Sequence, residues 1–162
     1  MSAAVSTLNA FRDLDRGAER ESRYIKKCWA AICTEHRPSK VTPEKERKDH
    51  ARKIERASEH RYFSWLSAGP ESQIDRLMAR SRVIVAVPHN EPRLVSGFIA
   101  FEADCLHVIY CGSIFRRMGI ARALMGRLPS GLRSYSQWTP AIDHVVTPEW
   151  HWDPHMLYRG QA

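Results

Sequence analysis

Leu106-His107-Val108-Ile109-Tyr110-Cys111 runs without a break into Gly112-Ser113-Ile114-Phe115-Arg116-Arg117-Met118-Gly119-Ile120-Ala121. The first part, taken from Cys105, has the β-branched and aromatic texture of a strand. The second part contains glycines and paired arginines, and it leads into a helix over Ile120 to Leu128 that Pro129 and Gly131 stop. A strand therefore hands over to a helix through a basic, glycine-containing turn.

Three short strands line up before that turn. Val83-Ile84-Val85-Ala86-Val87 is β-branched and is followed by Pro88-His89-Asn90-Glu91-Pro92, which is turn chemistry. Leu94 to Glu102 reads as a second strand, with Gly97 weakening it or marking a bulge. Ala103-Asp104 allows a tight turn into Cys105 to Cys111. Such close spacing makes the three an antiparallel meander.

The turn itself suits an anion. The first backbone N–H groups of a helix lack intrahelical partners and sit at the positive end of its dipole, where phosphate binds readily. Gly119 lets the backbone come close to a ligand, and Ala121 keeps that surface open. Arg116, Arg117 and Arg122 add formal charge around it. The expected ligand is a pyrophosphate or a molecule that carries one. No Gly-Lys-Ser or Gly-Lys-Thr follows, and there is no Gly-x-Gly-x-x-Gly, so a Walker loop and a dinucleotide fingerprint are both excluded.

Upstream, the chain reads as helical to about residue 80. Ile25, Cys28, Trp29 and Ile32 form one apolar stripe on a charged helix from about Leu14 to Thr34. His36-Arg37-Pro38-Ser39-Lys40 breaks it. Thr42 and Pro43 open a second helix to about Trp65 or Leu66, with Ala51, Ile54, Tyr62 and Trp65 inward, and Gly69-Pro70 ends it. Glu71 to Arg80 makes a short third helix using Ile74, Leu77 and Met78.

Length and composition bound the answer. The 162 residues suit a single domain, 1–162, and 43% apolar with 27% charged residues exclude wholesale disorder. No apolar stretch approaches the roughly 18 residues of a membrane-spanning helix, so no membrane partner is expected. No secretory leader is evident, and four cysteines at 28, 33, 105 and 111 form no Cys-x-x-Cys pair, which points to a reducing, cytoplasmic setting. Twenty-five basic against 18 acidic residues leave a charge of +7, favouring polyanionic partners in general, nucleic acid among them. In the first third, however, the charges are interleaved, as in Glu44-Lys45-Glu46-Arg47-Lys48-Asp49, which is the pattern of a solvated helix face.

Strand, Arg-x-x-Gly-x-Ala turn and helix, over roughly Arg82 to Leu128, resemble the acetyl-CoA-binding core of the GNAT superfamily of N-acetyltransferases. The resemblance implies an α/β fold of α+β type: a mixed, mostly antiparallel central sheet with helices on both faces and a helical N-terminal half. Its first strand would fall around Phe11 to Leu14. It implies acetyl-CoA as co-substrate, with the amides of Arg117, Met118, Gly119, Ile120 and Ala121 cradling the pyrophosphate and Arg116 and Arg122 beside them. It implies too that the strand ending at Cys111 lends backbone groups of Ile109, Tyr110 and Cys111 to the pantetheine arm. The strand from Leu106 to Cys111, followed by Phe115-Arg116, is similar to that of arylalkylamine N-acetyltransferases, in which a histidine at the place of His107 belongs to the catalytic base system. Imidazole can accept an ammonium proton near neutrality. By strand alternation His107, Ile109 and Cys111 share one face. The alternative is a polar residue on a half-buried strand, its ring satisfied by backbone.

Beyond the helix the likeness thins. Arg133 to Trp138 can supply the next strand, and the family's tyrosine, which protonates the departing thiolate, would be Tyr158 or else Tyr135. Trp138, Trp150 and Trp152 read as a cover over the sheet edge. His144, His151 and His155 with Asp143 and Asp153, like Cys28, Cys33 and His36, match no common zinc spacing, so no metal is expected. Cys111 lacks a readable base partner and is taken as a small strand residue rather than a nucleophile. Two functions follow: an N-acetyltransferase acting on an amine-bearing small molecule or macromolecule, or the same fold without catalysis, binding nucleic acid or a partner protein through its basic surface. The sequence names neither the acceptor nor the oligomeric state.

Overall fold

The computed structural model describes residues 9–35, 70–137, 139–153, 156, 157 and 159. The helix expected over Thr42 to Leu66 lies outside the described residues, as do Trp138, His155 and Tyr158.

Strand β1 (Asn9–Asp13) is followed by helix α1 (Glu19–Glu35), then α2 (Pro70–Arg80) and the strands β2 (Arg82–Pro88), β3 (Gly97–Phe101) and β4 (Leu106–Cys111). A 3-10 turn (Ser113–Phe115) leads to α3 (Ile120–Met125), β5 (Ser134–Tyr135), α4 (Pro140–Asp143) and β6 (His151–Trp152). The strands form one sheet in the order β1-β2-β3-β4-β5-β6. Pairing is antiparallel from β1 to β4 and parallel from β4 to β6. The fold is mixed α/β.

Two apolar layers sandwich the sheet. On one side Ile25 and Trp29 of α1 and Ile74 and Leu77 of α2 pack on Val83, Val85 and Phe98. On the other, Ile120 and Leu124 of α3 and Ile142 of α4 pack on Ile84, Ile99 and Ile109. The α1 stripe is thus the one its three- and four-residue spacing predicts, with Ile25 and Trp29 buried and Cys28 and Ile32 half-buried. Trp29 also donates its indole N–H to Gln137 Oε1 at 2.9 Å, tying α1 to the segment after β5. Helices cover both faces.

Several boundaries move. Helix α1 starts at Glu19 instead of Leu14, because Leu14 continues the sheet, its amide bonding Val83 O at 2.8 Å. Asp15 then makes a side-chain turn, its carboxylate accepting from the Gly17 amide at 2.9 Å. Strand β3 starts at Gly97 instead of Leu94, whose amide closes a turn onto Glu91 O at 3.0 Å. Helix α3 ends at Met125, and the amides of Arg127 and Leu128 reach back three residues, the tightened exit common at helix ends. Strand β5 is two residues long where six are expected, because the chain turns at Ser136 toward Thr139, whose hydroxyl accepts from the Ile142 amide at 3.1 Å.

Gly97 does not mark a bulge, since the register runs regularly through it. A Cβ there would stand 2.7 Å from Tyr110 O and 3.0 Å from Ile120 Cγ2, so the absent side chain is what lets β3, β4 and the start of α3 come together. The bulge lies further along. Ala100 stands opposite Val108 but Phe101 opposite Leu106, so the register skips His107.

Candidate functional site

Strand β4 is clamped at one end and open at the other. On the β5 side its ladder consists of the Leu106–Tyr135 pair and the bond from the Ser136 amide to Leu106 O at 2.9 Å. Among the described residues no strand continues that ladder toward Cys111, which leaves a gap in the pairing on this side of β4. The direction of the backbone groups follows from the ladder to β3. The Gly112 amide donates to Ser96 O at 2.9 Å, and pairing alternates along an antiparallel strand. Residues 112, 110 and 108 therefore turn their N–H and C=O toward β3, and Ile109 and Cys111 turn theirs toward the gap. Tyr110, expected to share in lining that gap with its backbone, faces β3 instead.

The basic turn stands at the open end of the gap. Gly112 begins it with little room to spare, since a Cβ would meet the Phe115 ring at 3.2 Å and Ser96 O at 3.4 Å. The Phe115 amide closes on Gly112 O at 2.9 Å, and Phe115 O accepts from the Cys111 thiol at 3.3 Å. Arg117 (φ 65°) and Gly119 (φ 80°) are both left-handed. Gly119 adopts this freely, whereas a non-glycine residue there is uncommon, and such strain concentrates at ligand sites and tight turns. Arg116, Arg117 and Arg122 are exposed, Ile114 is 78% exposed and Met118 40%. Ile120 is buried in the core beneath and Ala121 half-buried, so the turn presents charge and backbone while its apolar side holds α3 on the sheet.

His107 is placed differently from the simple alternation. Leu106, three residues from Ile109, shares its apolar layer, because the skipped register breaks the period at His107. The ring, 0% exposed, has both nitrogens engaged: Nδ1 lies 2.8 Å from Ser136 Oγ and Nε2 2.9 Å from Glu102 Oε1. Glu102 in turn pairs with Arg80 Nε at 2.7 Å and stands 3.9 Å from Arg159. Arg159 also grips Asp104 with two bonds of 2.9 and 2.8 Å. Burial pushes His107 below the ordinary imidazole range, and Glu102 opposes this by favouring the charged ring. The ring is satisfied by side chains, not by backbone.

The remaining candidates are scattered. Tyr135 is buried in the α3–α4 layer. Trp150 and Trp152 lie half-buried against the same layer, and Trp152 donates its indole N–H to Ser136 O at 3.2 Å. Burial pushes the Cys111 thiol up, with Arg116 pulling the other way, and the Cys105 thiol is pushed up to about 12. Both remain protonated thiols near neutrality. Tyr110 and Tyr24, which interact with each other and with Cys28, are raised chiefly by burial as well. Among the described residues no three His, Cys, Asp or Glu side chains converge to hold a metal ion. A groove of about 550 Å³ lies away from the turn, bordered by Arg12, Glu21, Tyr24 and Arg93. Three arginines and three carboxylates share its lining, so its charge selects no ligand.

Two residues of this region escape the sequence reading. Glu102 lies five residues before His107, across the turn, a spacing that brings two neighbouring strands face to face. Ser136 has no such signal, because its contact with His107 depends on where β5 joins the sheet. No family model matches the chain, and no match is found among the curated proteins. Among solved structures the chain is similar to a Desulfovibrio desulfuricans protein assigned to the GNAT acetyltransferase family, at 13% identity and a TM-score of 0.37 over 73% of this chain. The chain spans about three fifths of that protein's length, 61%.

Proposed function

We propose that the protein is an N-acetyltransferase that moves an acetyl group from acetyl-CoA to a primary amine. The observation that carries this reading is the edge of β4 that no described strand pairs beyond Leu106, beside a left-handed, arginine-bearing turn. An extended ligand arm could pair with the backbone groups of Ile109 and Cys111 in the gap, as an added strand pairs with a sheet edge. Its anionic end would meet the amides of residues 117 to 121 and the cations of Arg116, Arg117 and Arg122. Acetyl-CoA has both parts, a polar pantetheine arm and a pyrophosphate, and when bound it supplies an activated acyl thioester.

The chain's own residues would do the rest. The backbone at the end of β4 orients the thioester and offers N–H groups to its oxygen. His107, neutral at pH 7 because burial disfavours its charged form, is the reservoir for the amine's proton, as the likeness to arylalkylamine N-acetyltransferases suggests. Tyr158 is the proposed donor of a proton to the departing thiolate. The setting proposed is the cytoplasm, with no metal.

The test is a thiol-release assay with acetyl-CoA against arylalkylamines, polyamines, a lysine peptide and an aminoacylated RNA. Release that depends on one acceptor class, with the acetylated amine identified by mass, supports the reading. Acetyl-CoA binding without turnover of any amine, together with salt-sensitive nucleic-acid binding, supports the non-catalytic module instead.

A further inference from the structure

His107 is wholly enclosed and both its nitrogens are occupied, so a proton can reach the ring only through Ser136 or Glu102. The two neighbours are not equivalent. Glu102 is a carboxylate in ion pairs with Arg80 and Arg159, so it accepts. That places the ring proton on Nε2 and makes Nδ1 the acceptor for the Ser136 hydroxyl. The ends also differ in surroundings. Ser136 is 1% exposed and stands where the β4–β5 ladder ends among the described residues, its amide bonded to Leu106 O at 2.9 Å. Glu102 is 15% exposed at its side chain, and its partners Arg80, at 24%, and Arg159, at 48%, reach the surface.

We infer that Ser136, His107 and Glu102 form a proton relay from the end of the β4–β5 ladder toward the protein surface, with Ser136 as its entry and Glu102 as the residue that orients the ring. This rests on the acetyltransferase reading and deepens it. As the amine nitrogen bonds to the acyl carbon, its proton passes, directly or through one water, to Ser136 Oγ, and the Ser136 hydroxyl proton passes to His107 Nδ1. The serine ends as it began, and the ring becomes an imidazolium. Glu102 and Asp104 from the β3–β4 hairpin favour that charge, while Arg80 at the end of α2 opposes it; Arg159, paired with both carboxylates, tempers them. Ser136 carries the proton itself, whereas Glu102 is a positioning residue that acts through His107.

The experiment compares wild type with Ser136→Ala, Ser136→Thr and Glu102→Gln in the full chain. Acetyl-CoA binding is measured first, then kcat, KM and the pH profile, and nitrogen-15 spectra give the His107 tautomer without any acceptor. Expected are a neutral ring protonated at Nε2, and a fall in kcat of roughly 100-fold in Ser136→Ala with KM for acetyl-CoA unchanged. Ser136→Thr restores most of that loss. Glu102→Gln moves the acid limb of the profile to lower pH, because the imidazolium loses its counter-charge. A purely structural role for the serine would leave the profile and the kcat/KM split alone. Absence of acetyl-CoA binding by the wild type overturns the acetyltransferase reading. Binding and turnover with Ser136→Ala at the wild-type kcat, or a ring protonated at Nδ1, overturns the relay.

Discussion

The two ends of β4 follow opposite rules. At Leu106 the strand is paired on both sides, and at His107 it bulges and is buried among groups that satisfy one another. At Cys111 it has a neighbour on the β3 side, no described strand on the other, and a turn carrying strain and exposed cations. A buried, satisfied network fixes geometry, whereas an open ladder beside a charged turn is a place for a ligand. One strand of six residues thereby supplies both the rigid support and the binding edge.

The largest effect should come from closing the space that lets β4 lie where it does. Gly97→Val sets a branched side chain against Tyr110 O, which is backbone and cannot yield, so a loss of about 3 kcal/mol in urea unfolding is expected. A loss below about 1 kcal/mol would mean that β3 and β4 are not in this close approach.

The clamped end comes next. His107→Ala leaves Glu102 and Ser136 without their shared partner and should cost about 1–3 kcal/mol at neutral pH. The pH dependence has a definite sign. His107 titrates below its unfolded value of about 6.5, so the unfolded chain binds its proton first and stability falls as pH drops from about 6.5 toward the lowered folded value. Urea midpoints measured between pH 7 and 5 should show that slope in the wild type, and a shallower one in the variant. Equal slopes would remove His107 from the account.

At the open end the sign reverses. Arg117→Gly relieves a left-handed backbone and should raise stability by about 1 kcal/mol, a gain that only positive φ explains. If the melting temperature falls instead, the left-handed turn is wrong.

Much of this contrast is legible in the sequence, and unevenly so. The open end is a local matter: apolar strand, glycine, arginines and helix follow one another along the chain, and local order is what pattern reading captures. The α1 stripe and the meander are legible for the same reason. The clamped end is not local. A register skip at His107 is invisible to a strict period of two, which placed the ring with Ile109 and Cys111. Ser136 meets His107 across 29 positions through a two-residue strand, too short to carry any periodic signal. Gly97 read as weakness because the backbone that needs its bare face lies in another strand.

The most direct test of the central claim is thermal unfolding of the full chain with and without acetyl-CoA, with Gly119→Glu as the comparison. At about a hundred times its dissociation constant a ligand adds roughly 2.7 kcal/mol, a rise of about 5–10 °C for a chain of this length. That rise is expected in the wild type and none in Gly119→Glu, whatever the variant's own melting temperature. No rise at millimolar acetyl-CoA, or an equal rise in both proteins, would contradict a cofactor site at the open end of β4.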